Sequence, residues 1–134
     1  MRLKIVLGIV IGAVALAVPV LAHHAHGQYA TNTVDFEGVV MEFHIINPHA
    51  WLYVNVKDAS GKEQAWALES DGPKDNYRAL AKEGRGPKPG DVVKVRCHPL
   101  RDGAPGCLMG FLKGSDGVTR DFDAGGVPIK IDGF

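Results

Sequence analysis

The segment Phe43-His-Ile-Ile-Asn-Pro-His-Ala-Trp-Leu-Tyr53 leaves the chain few ways to fold. Two runs of strand-forming residues meet at Asn47-Pro48. Asn at the first position and Pro at the second suit a type I turn, because the pyrrolidine ring holds φ at roughly −65°. Setting Asn47 against Ala50 places Ile45 opposite Leu52, Phe43 opposite Val54 and Met41 opposite Val56. That face is wholly apolar and is expected inside. The other face pairs Ile46 with Trp51 and His44 with Tyr53, and His49 sits on the turn. A one-residue slip would exchange the faces, so the apolar set fixes which side is buried. The expectation is a core on one side of the hairpin and an aromatic–histidine surface on the other.

The first 22 residues differ from the rest. Arg2 and Lys4 form a basic start, Ile5 to Val18 is an unbroken apolar and glycine run, and Val20-Leu21-Ala22 follows Pro19. This is the pattern of a secretory signal, with cleavage expected between Ala22 and His23 and export to the periplasm or beyond. The competing reading is an uncleaved membrane anchor, for which the run is at the short end of spanning length. No Cys follows the cleavage point, which argues against a lipoprotein. Residues 1–22 hold two of the 15 basic residues and none of the 15 acidic ones, so the mature part carries 13 against 15, or −2. That balance gives no counterion-release drive toward nucleic acid and excludes a polybasic membrane-surface protein.

Residues 23–33 read as a flexible, His-rich lead-in, 34–122 as one β domain, and 123–134 as a Gly-rich tail. The first strand, Val34 to Ile46, changes phase at Gly38, where a bulge or bend is expected. Ala50 to Lys57 is the second strand and Lys62 to Ser70 the third. Trp66 and Leu68 are expected inward if a bulge at Gly61 offsets simple loop counting, which would put Trp66 outside beside Tyr53. Asp71-Gly72-Pro73 opens a short helix capped by Asp71, with a Tyr77, Leu80, Ala81 stripe, ending at Gly84. Val92 to His98 and Cys107 to Leu112 are the next strands, Val118 to Phe122 a short last one, and Val127-Pro128-Ile129 can lie along the barrel. The order β-β-β-α-β-β is that of an OB-like five- to six-stranded barrel with one short helix between strands 3 and 4; a small sandwich gives a similar string. The expected core is Val39, Met41, Phe43, Ile45, Leu52, Val54, Val56, Val93, Val95, Met109 and Phe111.

Several motifs together resemble a known family. They are a signal ending in Ala, then His23-His24, the Glu-Gly-Val-Val run around Gly38, Asn47-Pro48-His49-Ala-Trp51, Val-Lys-Asp-Ala-Ser-Gly61-Lys, Trp66, and Lys-Pro89-Gly90-Asp91. The chain is similar, over about residues 20 to 122, to a family of exported bacterial proteins catalogued only as a domain of unknown function. The resemblance implies export and a small barrel, and it implies no activity. Cys97 and Cys107 stand outside the family's pattern.

Three constellations bear on chemistry. Cleavage would expose His23-His24-Ala25-His26, and an N-terminal His can chelate copper through its α-amine and imidazole. His24, His26 and His49 are candidate helpers; the competing reading is adventitious metal binding by a disordered leader. Trp51, Tyr53, His44 and Ile46 form a candidate surface for an oligosaccharide, another small ligand or a protein partner, unless the lead-in or tail covers it. Catalytic signatures are missing: the chain has no Gly-x-Ser-x-Gly, no glycine-rich phosphate loop and no Cys-x-x-Cys. Glu42 with His44, and Glu63 with Glu69, read as solvated pairs, and the expectation is a binding module, with an accessory subunit of a periplasmic complex as the alternative.

Cys97 and Cys107 are equidistant from Asp102, so a hairpin centred there sets them directly opposite on the face of Val95 and Met109, and Val93 and Phe111. Export favours a disulfide between them. Two buried thiols are the competing reading. A site shared with His98 fits poorly, because His98 has the opposite parity.

Overall fold

A computed structural model of the chain describes residues 26–46 and 48–134. The signal segment, its cleavage point and Asn47 of the expected turn lie outside the described residues. The strands are β1 (Val34–Ile45), β2 (Ala50–Lys57), β3 (Glu63–Ser70), β4 (Val92–Pro99), β5 (Gly106–Lys113), β6 (Thr119–Asp121) and β7 (Val127–Pro128). The helix α1 (Lys74–Lys82) lies between β3 and β4. β1 pairs with both β2 and β4, and parallel pairing of β3 with the start of β5 closes a five-stranded barrel. This is the OB-like barrel expected from the element order. β6 and β7 extend from the far half of β5, and Phe134 of the tail packs 6.5 Å from Phe111.

Strand β1 is long because it serves two neighbours. Val34 to Val39 pair with β4, and Val39 to Ile45 pair with β2. The change of partner is accompanied by a register shift between Val40 and Glu42. Met41 is therefore the extra residue of a bulge, and the phase change falls there instead of at Gly38. Gly38 continues the inward phase; a side chain there would press on Val54 at 3.2 Å. Two core expectations are corrected as a result. Val39 and Met41 face outward, 43% and 47% exposed, and Val40 takes the inner place at 2%.

The hairpin register is also two residues off the sequence expectation. Phe43 faces Leu52, Ile45 faces Ala50, His44 faces Trp51 and Glu42 faces Tyr53. A shift of two keeps the side chains of Glu42 to Ile45 and of β2 on their expected faces, so this part of the core and outer surface survives. In β5, Gly110 is a second bulge: Cys97 faces Met109 but Arg96 faces Phe111. Phe111 is thereby turned outward, and Leu112 is buried in its place opposite Val95. Leu52, Val54, Val93, Val95 and Met109 are buried as expected, with Phe43, Ile45 and Val56 packed against them.

Trp66 and Leu68 point inward, opposite Val54 and Leu52. The loop allows this because it is one residue longer than simple counting assumed: Asp58 N–H donates to Lys62 O, and Gly61 takes φ +84°. Trp66 then meets Phe36, ring centroids 4.9 Å apart. Helix α1 buries Tyr77 and Leu80, whereas Ala81 is exposed. Its N-cap is Pro73 with no side-chain cap bond, so Asp71 does not fill that role. Tyr77 stacks on Phe122 at 5.4 Å, and both rings meet Phe43 edge-on.

Cys97 and Cys107 form a disulfide with Cα atoms 5.8 Å apart. The pair is diagonal, since Cys97 faces Met109 and Cys107 faces Pro99. Cys107 also pairs with Leu68 on the closing side of the barrel. The bridge thus ties β4 to β5 where β5 seals the sheet.

Candidate functional site

The outer face of β2 and β3 and the loop joining β1 to β2 carry most of the candidate residues. Trp51 and Tyr53 are half-buried on this face, His44 is exposed, and Ile46 at the loop is 52% exposed. The His44 ring meets Tyr53 edge-on at 5.6 Å, and its Nε2 lies 2.8 Å from Glu42 Oε2. That pair is solvated, as expected for two side chains on a strand exterior.

His49 has a different environment. Its Nδ1 hydrogen-bonds Oε1 of Glu69, a residue only 8% exposed near the end of β3. The second carboxylate oxygen, Oε2, accepts the Tyr29 hydroxyl. Glu69 was expected to be a solvated charge; it is instead a buried acceptor shared by a phenol and an imidazole. Burying a carboxylate is costly unless it is paired and hydrogen-bonded, and these two donors meet that need. Burial, and then the hydrogen bond to Glu69, raise the Tyr29 phenol above its ordinary range. Tyr29 therefore remains a donor at any physiological pH.

Tyr29 belongs to the lead-in, and the lead-in is fastened. Tyr29 bridges to Leu100, Ala30 N–H donates to Pro99 O, and Arg101 donates from Nε to Tyr29 O and from its backbone to Gln28 O. His98 Nδ1 lies 3.1 Å from Ala30 O and 3.2 Å from Asn32 O. The expectation of a flexible lead-in is corrected from Gln28 onward. Its aromatic residue lies against the outer face and covers the Glu69 end of it. On the other side, Lys74 Nζ donates to Pro48 O at 2.7 Å and holds the loop that carries His49.

The metal candidates divide. His23 and His24 lie outside the described residues, and His26 opens a short 3-10 turn, His26–Gln28, directly before Tyr29. His44 and His49 engage different carboxylates, Glu42 and Glu69. Among the described residues no three His, Cys, Asp or Glu side chains gather as a metal-holding group. Tyr29 and Glu69 were missed as site residues. A signal for Glu69 existed: it directly follows the apolar run Ala65-Trp66-Ala67-Leu68, where a charge needs a partner.

Among the described residues no helix is long and apolar enough to cross a membrane. No curated protein and no solved structure matches the chain. A family model does match, over residues 12–109, from the apolar leader to the middle of β5. The hairpin, His49, Glu69 and both cysteines fall inside that span, and the chain belongs to the family of unknown function DUF6152.

Proposed function

We propose that the chain is an exported binding module, acting as a binder and not as an enzyme, and that it holds a copper ion through the mature N-terminus. In this reading signal cleavage after Ala22 delivers the barrel to the periplasm, where the His23 amine and imidazole chelate Cu(II) with help from His24, His26 or His49. One observation carries it: the His-rich leader joins the barrel at Tyr29, whose hydroxyl shares the Glu69 carboxylate with His49. The leader and the barrel histidine are thereby tethered to one neighbourhood. Imidazole suits copper, nickel and zinc, and a terminal amine adds the chelate that favours Cu(II). The disulfide is compatible with an oxidising compartment.

The test is metal analysis of untagged periplasmic protein whose intact mass begins at His23, alongside a form with one extra residue before His23. The extension removes the amine chelate and keeps every imidazole. Equal Cu(II) affinity with and without it refutes the N-terminal mode, and a mature species retaining residues 1–22 refutes it outright.

A second reading uses the surface of Trp51, Tyr53, His44 and Ile46 to take an oligosaccharide, a small ligand or a subunit of a larger complex. His44 opposite Trp51 and edge-on to Tyr53, with both aromatic rings half-buried and Ile46 52% exposed at the adjoining loop, favours it. OB-folds bind ligands on this region of strands 2 and 3. Quenching of Trp51 fluorescence by added oligosaccharide, absent in Trp51→Ala, would support this reading.

A further inference from the structure

We infer that the barrel carries a further binding site, a cavity that takes the carboxylate of a short aliphatic acid on the side edge of the buried Arg120 guanidinium. The cavity, of about 80 Å³, lies beside the connector after α1 and is bounded by the start of β4, the end of β5 and β6. Glu69 pairs with Leu108 near the start of β5, whereas this cavity meets β5 at Leu112, so it is separate from the His49 surface. The Arg120 side chain that lines it is only 4% exposed. A guanidinium presents two paired edges, Nη1 with Nη2 at its end and Nε with Nη2 at its side. Asp116 fills the end edge, accepting from Nη2 at 2.6 Å and from Nη1 at 3.1 Å. Nε is buried and meets no acceptor among the described residues. Arg96 shows what a side edge does when it is filled: its Nε and Nη2 each donate to Asp35 at 2.7 Å. Arg120 carries the same two-donor edge inside the fold, turned away from its aspartate. A buried N–H left unpaired costs free energy, so its presence calls for a reason, and a bound ion is one.

The surroundings select the ligand. Val93, Leu112 and Phe122 give the cavity an apolar wall, which suits a short hydrocarbon body. The volume of about 80 Å³ is room for roughly six water-sized groups, the heavy atoms of a four-carbon acid. Charge is nearly balanced: Arg85, Lys88 and Arg120 line the cavity with Asp91 and Asp116, and Arg85 donates to Glu83. A phosphate dianion would face two carboxylates, whereas a planar monoanion matches the two-donor edge. Lys88 stands exposed at the rim, its backbone N–H donating to Asp91 Oδ2. A Cβ at Gly84 would lie 3.7 Å from Lys88 Nζ, so the ammonium sits over the connector, where it attracts an incoming anion.

The experiment titrates the purified, 15N-labelled protein with butyrate, and with acetate and inorganic phosphate for comparison. The readout is the Arg120 Nε–H signal in the proton–nitrogen spectrum, assigned by its absence in Arg120→Lys. Butyrate should shift that signal downfield with a Kd in the millimolar range or tighter. Acetate should bind at least about threefold more weakly, because it leaves the apolar wall uncovered. Phosphate should leave the signal in place. Arg120→Lys keeps the charge, loses the fork and should weaken butyrate at least about tenfold. Lys88 is exposed, so Lys88→Glu keeps the test open if Arg120→Lys fails to fold. It should weaken butyrate about fivefold with an unchanged melting temperature. An Arg120 signal that butyrate does not move overturns the inference. So does a shift by phosphate as large as that by butyrate, or equal butyrate affinity in Lys88→Glu. None of these results bears on Cu(II) or on the Trp51 surface, so the readings above stand or fall separately.

Discussion

Reducing the disulfide should destabilise the barrel by an amount the fold allows one to work out. Cys97 and Cys107 are 10 residues apart, so the bridge closes a loop of about 11 residues. Chain-entropy arithmetic for that length gives about 2.8 kcal/mol at 25 °C. At a urea m-value of about 1.4 kcal/mol/M for a domain of this size, the midpoint should fall by roughly 2 M. Replacing both cysteines by Ala should cost about 1 kcal/mol more, because Cys97 and Cys107 are 0% and 1% exposed and the loss of their sulfurs leaves a void. The assay is urea unfolding followed by tryptophan fluorescence, with the native, reduced and double-Ala proteins side by side. Burial also means a reductant must wait for local opening, so reduction should be slow in buffer and accelerate with urea below the transition. A midpoint shift below about 0.5 M on reduction would refute the argument. So would fast reduction in buffer alone, since a sealed bridge cannot be attacked.

Three further outcomes follow from the packing. Val40→Ala should cost about 2–3 kcal/mol and Met41→Ala under about 0.5, measured by the same unfolding assay; the reverse order would place the β1 bulge elsewhere. Likewise Leu112→Ala should cost about 2–4 kcal/mol, more than Phe111→Ala, despite the larger ring at 111; equal costs would count against the Gly110 bulge. The Tyr77 phenol is pushed up to about 12, by burial before any other cause. A raised folded value means its contribution is whole below about pH 10, the unfolded value, and is lost as pH rises toward 12. Thermal melts across that window should show an alkaline loss of stability that is smaller in Tyr77→Phe; an identical alkaline slope in the variant would exclude Tyr77 as its source.

Much of the barrel is legible from alternation alone, and the departures share one cause. The apolar phase of β2, the inward Trp66 and Leu68, the helix position and the cysteine pair all follow from local pattern. Val39, Met41 and Phe111 do not, because each lies at a bulge that exists to serve a second strand. Val39 pairs with both Asn55 and Val92, and no count along β1 reveals the second partner. Gly110 offers its carbonyl to Phe122 N–H at 2.7 Å, a bond to a segment 12 residues on. The hairpin register was two residues off for a related reason: a period-two pattern fixes faces but leaves even-numbered slips open. In each case the local rule held up to the point where a distant strand imposed its own spacing.

The site tests the same rule on charge. Glu69 and Glu63 share a strand face and a residue type, yet Glu63 is exposed beside Lys57 and Asn55 while Glu69 is buried. The difference comes from what crosses above them: Tyr29, 40 residues earlier, and His49, 20 residues earlier. Losing either donor leaves a buried carboxylate oxygen short of a partner, at about 1–3 kcal/mol or more for a charged group. The lead-in, the hairpin loop and β3 are therefore held by one acceptor. Any ligand that binds His49 pulls on the same carboxylate that anchors the leader. Tyr29→Phe tests the strap alone: it removes the Tyr29–Glu69 bond, keeps the Glu69–His49 bond, and should lower the melting temperature.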